Sequence, residues 1–117
     1  MINIKQGDIW LIDFNPVIGS EMKKLRPSIV LNRNFDIVLD LKIVVPLTSW
    51  KFAFKDIWWL HRIKTSKKTG LDNDSGANCY QIRCVSDLRF EKKLGIATNE
   101  DLDIIADIIW LCIEPDL

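Results

Sequence analysis

Gly7-Asp8-Ile9-Trp10-Leu11-Ile12-Asp13-Phe14-Asn15-Pro16 and, after a polar stretch, Arg26-Pro27-Ser28-Ile29-Val30-Leu31 are the segments that decide how this chain folds. The first run follows a glycine, is rich in β-branched and aromatic side chains with partial alternation, and is closed by Asn15-Pro16. It predicts a strand. In the second run Pro27 disfavours a helical Arg26 and hands the chain to a strand over 28–31. Between them, residues 17–26 hold Gly19 and the cluster Ser20-Glu21-Met22-Lys23-Lys24, the composition of a loop. Two strands and one connecting loop make a hairpin.

Strand signals recur over 42–47, 57–63 and 78–85, separated by Lys67-Lys68-Thr69-Gly70 and Asp72-Asn73-Asp74-Ser75-Gly76. Short strands with turn signals between them predict a mainly β fold, a small barrel. The end of the chain has a different period. Leu102, Ile105, Ala106, Ile109 and Ile113 recur at helical spacing, Thr98 or Asn99 can cap, and Glu100 and Asp101 suit the positive helix end, so 99–113 predicts a helix. Ile104, Ile108, Trp110 and Leu111 widen its apolar arc, which predicts packing on more than one surface, including a dimer interface. With 117 residues, 48% of them hydrophobic, we expect residues 1–117 to form one domain.

Cys79, Cys84 and Cys112 are odd in number and form no Cys-x-x-Cys pair, which favours a reducing compartment. The start carries no secretory pattern, and no apolar run approaches the roughly 18 residues of a membrane helix. A cytoplasmic protein with no membrane contact is expected. The formal charge is zero, but residues 1–98 carry all sixteen Lys and Arg against ten acids, and 99–117 carry six acids and no base. Lys51, Lys55, Arg62, Lys64, Lys67 and Lys68 interleave with Trp50, Phe52, Phe54, Trp58 and Trp59. That mixture suits single-stranded nucleic acid, where phosphates attract cations and unstacked bases attract flat rings; it equally suits a barrel strand with a solvated lysine loop.

Absences prune the chemistry. The chain has a single histidine, His61, no Gly-x-Ser-x-Gly elbow and no phosphate-binding Gly-x-x-x-x-Gly-Lys loop, so no metal or cofactor is expected. His61 lies inside a strand-like run and reads as a packed or surface histidine rather than a general base. What remains is Gly19-Ser20-Glu21 followed by Arg26-Pro27 on the loop. Pro27 stiffens the backbone under Arg26, whose guanidinium suits bidentate phosphate binding, although an ordinary ion pair with Glu21 or the acidic helix is the competing reading.

Gly7-Asp8-Ile9-Trp10, Asp13-Phe14, Pro16, Gly19-Ser20-Glu21, Arg26-Pro27 and Ile29-Val30-Leu31-Asn32 resemble, in order and spacing, the amino-terminal signature of the MazF/PemK family of toxin endoribonucleases. Ile43-Val44-Val45-Pro46-Leu47-Thr48-Ser49 is similar to the family's third strand, which ends in a catalytic threonine. Asp74-Ser75 through Gln81-Ile82-Arg83 is similar to its Gln-Ile-Arg strand and the approach to it. The likeness covers nearly the whole chain. It implies an SH3-like barrel with a carboxy-terminal helix, a homodimer with an RNA groove along the subunit interface, and a cognate antitoxin in a type II toxin–antitoxin system. The implied reaction is metal-independent cleavage of single-stranded RNA at short sequences by the ribose 2′-hydroxyl, giving a 2′,3′-cyclic phosphate. Arg26 and Thr48 match the catalytic pair, and Ser20, Glu21 and Gln81 match positions near the RNA; Lys23, Lys24 and Ser49 are added as RNA contacts.

Such a reaction builds negative charge on the phosphoryl and leaving oxygens, for which Arg26 and the Thr48 hydroxyl are suitable donors. Arginine stays protonated in the physiological range, so Glu21 is chemically the better base. Where the family often has glycines, this loop reads Met22-Lys23-Lys24-Leu25, which predicts a stiffer and more cationic segment. Two other readings share the barrel. One is a CcdB-like toxin that binds gyrase, which would use a tryptophan near an exposed terminus, whereas Trp110 falls inside the predicted helix. The other is an SH3-like RNA-binding module without catalysis.

Overall fold

A computed structural model describes residues 3–16, 18–21, 24–33 and 39–116. Among these residues, seven strands, β1 (Asp8–Asp13), β2 (Leu25–Val30), β3 (Leu41–Ser49), β4 (Leu60–Ile63), β5 (Ser75–Asn78), β6 (Arg83–Ser86) and β7 (Phe90–Ile96), precede one α-helix, α1 (Asn99–Ile113). All pairings are antiparallel, in the order β4-β5-β3-β2-β1-β7, with β6 also on β3. The expected mainly β architecture with a carboxy-terminal helix is therefore observed. β3 organises it: its first half pairs with β6 and its last three residues with β5, so one long strand bends from one part of the sheet into the other.

Both faces of the sheet are buried, and this explains why β1 alternates only partially. Ile9 joins Ile29, Val45, Leu47, Ile63 and Ile105 in one apolar cluster, while Trp10, Ile12 and Phe14 join Val30, Val44, Val85 and Phe90 in another. A strand covered on both sides has no solvent face to keep polar. Each fully buried Ile or Phe contributes roughly 1.5–3 kcal/mol. α1 covers the first cluster with Leu102, Ile105, Ile108 and Ile109, and the Thr98 hydroxyl caps it by accepting the Asp101 N–H at 3.0 Å. Trp110, Leu111 and Ile113, on the rest of its broad arc, are exposed.

Five sequence expectations shift. β2 starts at Leu25, so Arg26 and Pro27 are strand residues opposite Ile12 and Leu11, not the end of a loop. The stretch 57–63 is strand only from Leu60. The stretch 78–85 is broken by a 3-10 turn at Cys79–Gln81, because the Asn78 side chain accepts the Tyr80 N–H at 3.2 Å and draws the backbone out of the ladder. Two strands were hidden. β5 reads as a turn because it is Ser-Gly-Ala-Asn, too small and polar to carry an apolar period. β7 is masked by Glu91, Lys92 and Lys93, the charges that keep an edge strand from pairing further.

A back-to-back glycine contact fixes the long connection between β4 and β5. Gly70 has φ +66°, and a Cβ on it would fall 1.9 Å from the Leu94 carbonyl oxygen; one on Gly95 would fall 2.3 Å from the Thr69 carbonyl oxygen. The Ile96 N–H donates to the Lys68 carbonyl at 2.9 Å across the same contact.

Candidate active site

Antiparallel register brings the first pair of predicted residues together. Ser28 pairs with Pro46, and continuing that register two residues sets Arg26 opposite Thr48; Thr48 in turn pairs with Gly76, and Gly76 with Arg62. Directly opposite residues share a face. This face is apolar along Val30 and Val44 and turns polar at the strand ends with Arg26 and Thr48. There it opens into a cleft of about 190 Å³ lined by Arg26, Pro27, Thr48, Ser49, Asp72, Asn73 and Ser75, with Leu47 and Leu71 at its base. The wall 71–75 was not anticipated, and Asp72 is the one carboxylate in that lining. Only its position in an Asp-Asn-Asp turn hinted at it.

Asp74 holds this wall. Its carboxylate accepts the Thr65 N–H at 2.8 Å and two guanidinium N–H groups of Arg62, the shorter at 2.7 Å. The Thr65 backbone hydrogen bond, with the Arg62 bonds beside it, holds its carboxyl below the ordinary 3.8.

The other predicted contacts lie elsewhere. Ser20, Glu21 and Gln81 line a second cleft of about 380 Å³ with Tyr80, Ile82 and Arg83. The stretch is thus divided: Ser20 and Glu21 face β6, whereas Arg26 and Pro27, inside β2, face Thr48. Glu21 is not in the Thr48 cleft. Its Oε1 accepts the Ile18 N–H at 2.7 Å and its Oε2 stands 4.0 Å from Arg83 Nη1, so it closes its own loop. Arg83 lies over the Phe14 ring at 5.2 Å, and its buried Nη1 has no hydrogen-bond partner among the described residues. Arg89 Nη1 secures the loop's entry by donating to the carbonyls of Asp13, at 3.1 Å, and Asn15.

Lys24 is exposed, belongs to the lining of neither cleft, and adopts φ 59°, a left-handed conformation suited to glycine. Lys23 lies outside the described residues. His61 has the structural role expected: its Nε2 sits 2.8 Å from Asp101 Oδ1 and ties β4 to the first turn of α1. Burial pushes the Cys79 thiol up to about 12, with Cys112 adding to the shift, so Cys79 is an inert core residue. Among the described residues no three of His, Cys, Asp and Glu gather as a metal site requires, and no helix is long and apolar enough to cross a membrane.

The family model for PemK-like, MazF-like toxins of type II toxin–antitoxin systems matches residues 5–112. Endoribonuclease MazF9 of Mycobacterium tuberculosis is 26% identical over 105 residues, covering 85% of this chain and 86% of that protein. The crystal structure of MazF from Deinococcus radiodurans superposes with TM-score 0.79 at 18% identity, covering 96% of this chain and 97% of that one. A mycobacterial endoribonuclease solved in complex with its cognate antitoxin superposes with TM-score 0.73 at 14% identity, covering 98% and 99%.

Proposed function

The chain belongs to the PemK-like, MazF-like toxin family of type II toxin–antitoxin systems, and from that premise we propose that it is an endoribonuclease cutting single-stranded RNA at short sequences without a metal, with Arg26 and Thr48 as its catalytic pair. The observation that carries this reading is the cleft in which a fixed cation, a hydroxyl and a carboxylate, Arg26, Thr48 and Asp72, converge at the ends of paired strands. The ribose 2′-oxygen attacks the adjacent phosphorus and the bond from phosphorus to the 5′-oxygen breaks. Asp72 accepts the 2′-hydroxyl proton, and the departing 5′-oxygen takes one from water. Arg26 and the Thr48 hydroxyl stabilise charge on the phosphoryl oxygens, and Ser49 contacts the same phosphate. The products are a 2′,3′-cyclic phosphate and a 5′-hydroxyl end.

Ser20, Glu21 and Gln81 bind nucleotides beside the cut, and Lys23 and Lys24 add positive charge near them. A second copy of the chain covers the apolar groove of about 540 Å³ that includes Leu31, Ile43, Ile82, Leu102, Ile109 and Ile113. Because Ile82 lines this groove and the second cleft alike, the subunit interface runs beside the RNA path. A cognate antitoxin blocks that path, and the toxin, residues 1–117 as one domain, works in the cytoplasm. Gyrase binding is not favoured, since the similar MazF9 is an endoribonuclease.

The test is cleavage of a long single-stranded transcript by purified protein in chelator. We expect fragments ending in a 2′,3′-cyclic phosphate, lost with Arg26→Ala and Thr48→Ala. Cleavage equal in wild type and Arg26→Ala would overturn the reading, and salt-sensitive RNA retention without cleavage, unaffected by Thr48→Ala, would favour the non-catalytic module.

A further inference from the structure

The aromatic segment that precedes β4 has no part in the reaction above, yet it is built with some care. Trp58 and Trp59 pack edge-to-face, with ring centroids 5.6 Å apart, and the ring of Tyr80 closes on both, at 6.1 Å from Trp58 and 5.2 Å from Trp59. The backbone locks the group: the Cys79 N–H donates to the Trp59 carbonyl at 3.1 Å, and the β4–β5 ladder pairs Leu60 with Asn78 immediately alongside. Trp58 and Tyr80 nevertheless remain 51% and 56% exposed, so two large rings are ordered without being covered. Edge-to-face packing also leaves parallel stacking, the geometry a nucleobase uses, unconsumed.

Three further observations say what lies on these rings. Tyr80 belongs to the lining of the second cleft, next to Ser20, Glu21 and Gln81, whose hydroxyl, carboxylate and amide suit the edge of a base. In the same lining, Arg83 Nη1 is buried, stands 4.0 Å from Glu21 Oε2 and has no hydrogen-bond acceptor among the described residues, a place an anionic oxygen would fill. The 3-10 turn Phe52–Asp56, which leads into Trp58, is bracketed by exposed Lys51 and includes exposed Lys55. Flat faces with base-edge partners and a guanidinium in the adjoining cleft fit a single-stranded polynucleotide.

We propose that Trp58, Trp59 and Tyr80 form a stacking platform for one unpaired base of the RNA substrate next to the cleavage site, so that this aromatic group helps set which sequences are cut. The inference rests on the ribonuclease reading and deepens it. Stacking of one base on an aromatic side chain contributes enough to predict a loss of affinity on the order of 10- to 100-fold when the ring is removed.

The experiment uses a 12-nucleotide single-stranded RNA spanning a mapped cut, together with a series in which each nucleotide in turn is abasic. Wild-type protein should show a raised KM at one abasic position. Tyr80→Leu and Trp58→Leu should raise KM for the intact RNA by a comparable factor with kcat unchanged, and should show no further penalty at that same position, because base and ring act as one pair. Tyr80→Phe, which keeps the ring and loses only the hydroxyl, should behave as wild type. If the penalties add at every position, or if Tyr80→Leu lowers kcat alone, the platform does not exist although the enzyme still cuts RNA. A change in sedimentation of Trp58→Leu or Tyr80→Leu from dimer to monomer would likewise overturn it, assigning the rings to a subunit interface. Failure of the wild-type protein to cut any RNA would instead remove the ribonuclease reading itself.

Discussion

The two clefts are made of different material. The Arg26–Thr48 cleft stands on the ends of β2 and β3, with its remaining wall held by Asp74 and by the glycine contact with β7. The Ser20–Arg83 cleft stands on a loop tip and a 3-10 turn, short elements in which Glu21 and Asn78 side chains accept backbone N–H groups. Donors that stabilise a transition state need fixed positions, and paired strands supply them; residues that read bases tolerate substitution, and loops supply that. On the proposed assignment, reaction and recognition fall in separate clefts.

The largest effects should fall on the first cleft. Arg26→Ala and Thr48→Ala are each expected to lower kcat by about 10²- to 10³-fold with little change in KM, measured by single-turnover cleavage. Asp72→Asn should lower kcat by on the order of 10²-fold if it takes the 2′-hydroxyl proton, and an unchanged rate would strip it of that role. Gln81→Ala marks the contrast: KM should rise about 5- to 10-fold at constant kcat, and a loss confined to kcat would erase the division between the clefts.

Two smaller effects sharpen the comparison through stability. Lys24→Gly relieves a left-handed lysine at the foot of the recognition loop and should stabilise the fold by about 0.5–1 kcal/mol in urea unfolding, without touching kcat. Asp74 acts on the other side. Its lowered pKa means that its contribution is fully present above the ordinary 3.8 and is lost as pH falls below that value through the lowered one. Wild type should therefore lose its advantage over Asp74→Asn on acidification in that range, as followed by thermal unfolding, and a gap that persisted under acid would remove Asp74 as the clasp of the wall.

Much of this was legible before any coordinates. The helix was, down to its Thr98 cap, because 3.6-residue periodicity and capping chemistry are local. β1 and β3 were, because long apolar runs bury on both faces. The pairing of Arg26 with Thr48 was reachable through resemblance and is explained by strand register. Asp72 was not, since nothing local says that a loop 24 residues after Thr48 returns to it. Neither was the separation of Glu21 from the Thr48 cleft: the loop's entry is held by Arg89, more than 70 residues away in sequence, and Glu21 lies beside Arg83 of β6. β5 and β7 hid because one is too small and the other too charged to carry an apolar period.

The glycine contact between residues 70 and 95 also has a meaning in time. On a ribosome the chain emerges from its amino terminus, so Arg26, Thr48 and Asp72 are all made before Leu94 and Gly95, the backbone on which the Asp72 loop leans. β1 too waits for β7 along its outer edge. The backbone that supports the Arg26–Thr48–Asp72 cleft is thus made only after every residue it supports.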